Sequence, residues 1–572
     1  MSQAYLIQDD ARLHLVWLQQ LLDPELFPQD PIAQYYQSIQ GVGFRAIYQA
    51  AAGLGVSPLL FARFLPLLLG LVTTIYFFQV TLVLFPNPAS GFCTTLLLNQ
   101  NIWFKDDLIS ASPRSFVYPL FCAFLYYALR RSNLPILITI GLMGLIYPQL
   151  VLVQIGFLML QLLWQEQGRV AAVVQRRSNW GLIVGALGVA AVTILPFQLK
   201  VSGMYGSIVS AAQMQQMPEF NVGGRRAYFG VAPLQFMFAG ASGLRFPLFP
   251  PILWLGWALP FWALPFWGWG RWGRVLNWDR SQRSMLIPTL RVLLLLAGVS
   301  IGLWGLAHLL FPQLYLPSRY TFYSLRIGMA LAAGIGLFLI GQASWQQWQQ
   351  WLVGLDAPEG ERSRHRSPYL LLQSGLAGRR KAGIGFAVVC GLLIGIVPAI
   401  PPLFLSGQGW VRGEYPAIYQ FLAQQPNDQL IGSLALEADN IPAFAARSVL
   451  VSRELALAYH LSFYQQMQAR VIALLEIHYS ADLLRVQSLL QNQGIDFLLV
   501  DRQFAHPDYL PQQDWLVHSS FQAQVQQYQT DLSRGQVPAL SQVIDRCTVL
   551  SENNLIILPS ECIISYSQKS SL

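Results

Sequence analysis

The sequence predicts a polytopic α-helical membrane protein of about ten spans, some short or re-entrant, carrying a C-terminal soluble α/β domain. Three observations predict it. Of 572 residues, 54% are hydrophobic and 11% charged, against about 25% charged in an ordinary soluble domain. Several apolar runs approach the roughly 20 helical residues that cross a bilayer. Past residue 406 such runs stop, and short strand-like and helix-like stretches alternate instead. The 17 Trp and 33 Phe suit lipid-facing surfaces and interfacial belts. The net charge of +8 then reflects cytoplasmic anchoring and no nucleic-acid partner. Zinc spacings, a phosphate loop and a dinucleotide glycine pattern are all missing.

Residues 1–56 form a first outer, acidic loop. Within it Ile7 to Asp30 crowds Asp9, Asp10, Asp23, Glu25 and Asp30 with Arg12 and His14, while Pro24, Pro28 and Pro31 break any long helix. It is either a carboxylate cluster at a membrane face or a solvated helix packing Leu13, Val16, Trp17, Leu21 and Leu22. No cleavable signal peptide is expected, since Met1 to Asp10 has neither a basic end nor an apolar core.

Residues 57–405 form the transmembrane domain. Leu59 to Phe85 is long enough to span and ends at Pro86-Asn87-Pro88. Ala89 to Phe104 stops at Lys105-Asp106-Asp107, and Ser115 to Leu129 stops at Arg130-Arg131. Pieces this short suit helices buried among others or ending at an aqueous cavity. Leu134 to Tyr147 and Val151 to Trp164 read as a tight pair joined by Pro148-Gln149. Further spans are Gly181 to Leu199, Ile252 to Trp269, Leu286 to Phe311, Leu325 to Ile340 and Ile384 to Leu405.

Placing residues 1–56 outside puts loops 165–180, 270–285 and 342–382 in the cytoplasm and the long loop 200–250 outside. With 86–88 and 130–133 the inward segments hold 15 Lys and Arg in 80 residues; with 102–114, 148–150 and 312–323 the outward ones hold nine in 135. Positive charge favours the inner side. Arg130-Arg131 and Arg379-Arg380-Lys381 read as signals of that topology. Residues 406–572 become an extracytoplasmic α/β domain, with strands at Leu430 to Leu436, Ser448 to Ser452, Phe497 to Asp501 and Leu555 to Leu558. Helices are expected at Glu454 to Tyr464 and at Asp482 to Asn492, the second capped by Gly494. A hairpin turns at Asn553-Asn554. Cys93, Cys122 and Cys390 read as small buried hydrophobes. Cys547 and Cys562 flank the hairpin and, in an oxidising compartment, are placed to form a disulfide.

On this topology the outer polar clusters converge: Asp9 and Asp10, Asp106 and Asp107 with Arg114, Glu219 with Arg225 and Arg226, and Leu316-Pro317-Ser318-Arg319-Tyr320. A carboxylate serves as general base toward an acceptor hydroxyl or as an oxygen ligand to a divalent metal. An Arg fork suits phosphate. Together they fit group transfer from a membrane-bound phosphate carrier. Blander roles stand beside these: Arg319 as an interfacial anchor, Arg225-Arg226 as a solvated pair, Asp106-Asp107 as a polar cap, His308 as a satisfied structural histidine.

The order of acidic loop, short helices, Asp-Asp before Ser-Pro-Arg, long outer loop, Pro-Ser-Arg-Tyr and outer α/β tail resembles the GT-C superfamily of polytopic glycosyltransferases. The likeness covers most of the chain as architecture. It implies a hexosyltransferase-type enzyme of the bacterial cytoplasmic (inner) membrane, dependent on a polyprenyl-phosphate-linked sugar and acting on a glycan, lipid or protein acceptor outside. The family's acidic residue in the first outer loop maps onto Asp10 or Asp9, and its second acidic position onto Asp107 or Asp106. Its phosphate-gripping arginines map onto Arg319, Arg225 and Arg226, with Arg114 beside them. Tyr320, Glu219 and His14 are read as acceptor or sugar contacts, and Asp10 and Asp107 as ligands for a divalent metal, Mg or Mn. The family normally has a span before the acidic loop, so the resemblance implies a degenerate member or one lacking its first span.

A transporter or flippase for a lipid-linked saccharide would share the broken helices and polar cavity but should show two related halves, and no internal repeat is seen. A non-catalytic assembly protein would keep the fold without the chemistry. The charge count carries a test of sidedness. A reporter fused after Leu572 is expected to be active only outside the cytoplasm, and activity confined to the cytoplasm overturns the topology.

Overall fold

The computed structural model describes residues 5–104, 107–166, 173–247, 251–254, 256, 280–355 and 409–566. The expected spans Ile252 to Trp269 and Ile384 to Leu405 lie almost wholly outside these residues, as do Asp106 and Cys390. A short strand β1 (Leu6–Gln8) leads into helix α1 (Asp9–His14), then α2 (Pro31–Ser38) and α3 (Val42–Gly53). Pro31 opens α2 at a position whose N–H needs no partner. The Asp30 carboxylate caps it, accepting from the N–H groups of Ile32 at 2.7 Å and Ala33 at 3.3 Å. Asp30 thus acts as a helix cap.

The apolar helices follow: α4 (Pro58–Leu84), α5 (Pro88–Phe104), α6 (Val117–Arg130), α7 (Asn133–Ile146), α8 (Gln149–Glu166) and α9 (Val173–Tyr205). Further along the chain come α10 (Arg280–Leu309) and α11 (Ser318–Leu355). Among the described residues four helices are long and apolar enough to cross a membrane, within α4, α9, α10 and α11. This is fewer than the ten crossings expected. Helices α6 and α7 have 14 residues each, or roughly 21 Å at 1.5 Å per residue. They pack instead, α6 against α4 and α7 against α9. The apolar window of α11 is 83% buried and that of α9 only 11%, so α11 is the central post and α9 a peripheral helix with an exposed apolar surface.

The C-terminal part is α/β, as its alternating pattern predicts. Strands β3 (Leu430–Gly432), β4 (Ser448–Val449), β5 (Phe497–Asp501), β6 (Leu550–Glu552) and β7 (Leu555–Pro559) form one mixed sheet in the order β4-β3-β5-β7-β6. The β6–β7 hairpin turns at Asn553, whose φ of +52° suits Asn. Helix α12 (Leu461–Tyr479) and α13 (Leu483–Gln493) cover the sheet. Asp482 caps α13 through a 2.9 Å bond from the Leu484 N–H, and Gly494 ends it at φ +64°. The helix expected at Glu454 to Tyr464 starts later, at Leu461. Its first residues are taken by tertiary pairing: Tyr459 O accepts from Val209 N at 2.9 Å, and His460 bridges to Ile208. A disulfide joins Cys547 to Cys562 with the Cα atoms 5.7 Å apart.

One contact had no local signal. Strand β1 pairs antiparallel with β2 (Trp410–Arg412), matching Leu6 to Arg412 and Gln8 to Trp410. The start of the chain is thereby laced to the start of the tail.

His478 is buried in α12, with Nδ1–H donating to Leu474 O at 2.7 Å. Burial lowers its pKa from 6.5 to about 4. Between those values the unfolded chain binds more protons than the folded one, so the stabilisation is complete above pH 6.5 and is lost as pH falls through 4. The melting temperature of wild type should therefore fall relative to that of His478→Met as pH drops from 7 to 4.5. Parallel pH profiles for the two proteins overturn this.

Candidate functional site

Helix α1 sits where the membrane helices meet the tail, and two features aim it. The Gln8 side chain accepts from the Asp10 N–H at 2.8 Å, and two acidic residues occupy the first turn, where the helix dipole favours them. Arg12 then pairs with Asp9 and donates to Asn440 Oδ1 of the tail at 2.9 Å. Asp9 is consumed by that pair at the surface. Asp10, one position on, points the other way and pairs with Arg114 from the turn at Pro113–Phe116.

Asp10 and Arg114 lie on the wall of a cavity of about 350 Å³ that Arg226, Arg319 and His14 also line. Residues from four separate parts of the sequence thus meet. The spacing of Asp10 and His14 puts both on one face of α1, and both face the cavity. His14 is buried, and burial lowers its pKa from 6.5 to about 4, so it is neutral at physiological pH. Its Nδ1 has no hydrogen-bond partner among the described residues. Burial and the neighbouring Arg319 both lower the pKa of Arg114. Like charges held this close disfavour one another, and an anion between them would relieve the repulsion. Among the described residues Arg319 has no carboxylate partner, and its Nε is buried without a hydrogen bond. Among the described residues the charged lining is therefore one carboxylate against three guanidiniums.

Around these charges stand Tyr35, Tyr147, Tyr315, Tyr459 and His460. The Tyr35 hydroxyl hydrogen-bonds His460 Nδ1 at 2.9 Å. Apolar residues of α7 and α9, including Leu145, Ile146, Phe197 and Val201, close another side. Gly41 makes the approach of α3 to α7 possible, since a Cβ there would lie 2.6 Å from Leu145 O.

Other candidate residues lie elsewhere. Asp107 is fully buried, and its Oδ2 accepts from Arg326 and from the Tyr118 hydroxyl. Tyr320 is buried and donates to Leu314 O at 2.7 Å. Arg225 pairs with Glu454 at 2.6 Å and donates to Arg453 O at 2.7 Å. Glu219 accepts from the Tyr464 hydroxyl and from Ser520 N at 2.9 Å, fastening the long loop to the tail. His308 bridges the Tyr228 hydroxyl and Ser242 O, a structural role. Asp106 lies outside the described residues. Sequence reasoning passed over Arg326, although a charge inside an apolar span, seven residues after Arg319 on the same helical face, is a usable signal. Tyr459 and His460 had none, because only tertiary packing brings the tail to this cavity.

Among the described residues no group of three or more His, Cys, Asp or Glu side chains gathers. Asp10 and Asp107 each accept from an arginine, and only Asp10 faces the cavity. The two do not suit a shared divalent cation, which takes about six oxygen ligands.

No protein-family model matches the chain, and no curated protein matches it. Among solved structures it is similar in fold to the oligosaccharyltransferase of Archaeoglobus fulgidus. A crystal structure of that protein tethered to an acceptor peptide aligns with 92% of this chain and 68% of that one, at 13% identity and TM-score 0.47. AglB from the same organism, in complex with an inhibitory peptide and a dolichol-phosphate, aligns over 84% and 63% at 11% identity and TM-score 0.46. A complex with zinc and sulfate aligns over 90% and 66% at 13% identity and TM-score 0.44. The chain spans about two thirds of the length of these proteins. A likeness at this level transfers no chemistry.

The buried Asp107–Arg326 pair carries its own prediction. Removing one partner strands a charge in the interior, at a cost of about 3–5 kcal/mol. Arg326→Met should lower the melting temperature sharply, and adding Asp107→Leu should restore most of it. Equal melting of wild type and Arg326→Met overturns the structural role.

Proposed function

We propose that the chain is a membrane glycosyltransferase that moves a sugar from a polyprenyl-phosphate donor to an acceptor hydroxyl or amide at the extracytoplasmic face. The observation that carries this reading is the Asp10–Arg114 pair on the wall of a cavity that Arg226 and Arg319 also line. One carboxylate among three cations fits a base held beside a site for an anionic leaving group. The apolar flank supports a lipid carrier. Phe197 and Val201 line the cavity on α9, whose neighbouring Leu195 and Leu199 are 55% and 71% exposed on a helix apolar enough to span.

In this mechanism the acceptor O–H or N–H gives its proton to Asp10 Oδ1, which has no protein partner among the described residues. The acceptor atom bonds to the anomeric carbon. The bond from that carbon to the phosphate oxygen breaks, and the lipid phosphate leaves with the electron pair. Arg319 and Arg226 would hold the leaving anion, while Arg114 orients Asp10. The tyrosines and His460 would line the sugar, offering hydroxyls and ring faces to its polar and apolar sides.

The test is sugar transfer from a polyprenyl-phosphate donor by purified variants of matched stability. Asp10→Asn should lower the rate by about 10² to 10⁴, the usual worth of a general base. Arg319→Ala should chiefly raise the KM for donor. Full activity of Asp10→Asn sinks the assignment of Asp10, and an unchanged donor KM in Arg319→Ala sinks that of the phosphate site.

A further inference from the structure

Helix α1 divides the cavity from a second hollow. Asp10 and His14 face the first, while Ala11 and Leu15 face a crevice of about 230 Å³. Its opposite wall is the first three turns of α4, through Leu59, Ala62, Pro66 and Leu67, and the tail closes one end with Ala443. Three features indicate what fills it. The crevice continues onto a lipid-facing stripe, since Phe64, Leu67 and Leu68 on α4 are 61%, 62% and 57% exposed and α4 is apolar enough to span. Its rim carries Trp103 and Trp410, each 37% exposed, the residue type that settles at the depth of lipid headgroups. It also carries Arg63, which has no carboxylate partner among the described residues. A peptide would need hydrogen-bonding groups along the hollow, and besides Gln8 and Arg63 its described walls carry only apolar and Trp side chains. The Trp103 Nε1–H is already given to Asn99 Oδ1 at 3.2 Å.

We propose that this crevice holds one hydrocarbon chain of an anionic phospholipid from the surrounding bilayer, with its phosphate on Arg63. Chain burial supplies the affinity and Arg63 selects the charge. The site is distinct from the Asp10 cavity and does not depend on the transferase reading.

The test is photolabelling of the full-length protein in nanodiscs containing either phosphatidylglycerol or phosphatidylcholine with a diazirine in one acyl chain, followed by mapping of the labelled peptides. Label is expected on residues 59–67, with phosphatidylglycerol preferred about fivefold, the worth of roughly 1 kcal/mol for one interfacial cation. Ala62→Trp and Ala443→Trp, which fill the hollow from the α4 wall and from the tail end, should each remove that label while label at Leu68 and Leu71 persists. Arg63→Gln, an exposed change, should abolish the headgroup preference and leave chain labelling in place. Equal labelling of residues 59–67 and of Leu68 and Leu71, unchanged by any of these substitutions, means annular contact only and overturns the proposal. Suppression of the label by millimolar inorganic phosphate means a simple anion site and overturns it too.

Discussion

The ladder between Leu6–Gln8 and Trp410–Arg412 is the constraint on which the cavity depends. A two-stranded pair three residues long is marginal alone, so its neighbours must hold it. Tyr5 packs on Tyr419 and Phe444 of the tail at 4.9 and 5.7 Å between ring centroids. Arg12 reaches Asn440 one helical turn later, and Asp9 N donates to Gly409 O at 2.8 Å. Helix α1 thus leaves the tail in one direction only, with Asp10 turned toward the membrane helices. Six residues make too short a helix to hold its own course in water; the anchors at both sides hold it.

A second constraint is charge in a poorly solvated region. Arg114 and Arg319 face the cavity, and Arg326 lies in the interior seven residues after Arg319 on the same helix. Arg326 is neutralised by Asp107 in the interior, with its guanidinium carbon 4.1 Å from the Phe322 ring centroid. Arg114 is paired with Asp10. Arg319, between them in sequence, has no such carboxylate among the described residues and opens on the cavity. Burying a cation without a counter-ion is costly, and a site that recurrently receives an anion is a physical reason to keep one there.

The long loop after α9 belongs to the same construction. A small apolar cluster joins Val209, Phe220 and Tyr228 of the loop to Phe311 and to Ala458 and Tyr464 of the tail. Polar fasteners reinforce it, with Arg225 on Glu454 and Glu219 on Tyr464 and Ser520. Those contacts carry Arg226 to the cavity mouth while Arg225, one residue earlier, is spent on the fastening. Neighbouring arginines on one loop therefore have different work, as do Asp9 and Asp10 on α1.

The sequence by itself determined the class of the molecule, because apolar run length and charge scarcity report directly on the solvent around a helix. It also determined the local signals of the tail: the Asp482 and Gly494 caps, the turn at Asn553-Asn554 and strand β5, all set by backbone preferences of single residues. The residue types of the candidate site were legible as well, since charges are rare in this chain and each one stands out. Only the tertiary structure decided which member of each pair faces the cavity. Asp9 and Asp10, or Arg225 and Arg226, are indistinguishable in composition, and adjacent positions on a helix or loop point different ways. Only folding, too, put Asp107 in the interior, where a partner 219 residues away meets it, and brought Tyr459 and His460 to the cavity. Contacts of such sequence separation leave no local trace, because they are made by packing between elements and not by the preferences of either one.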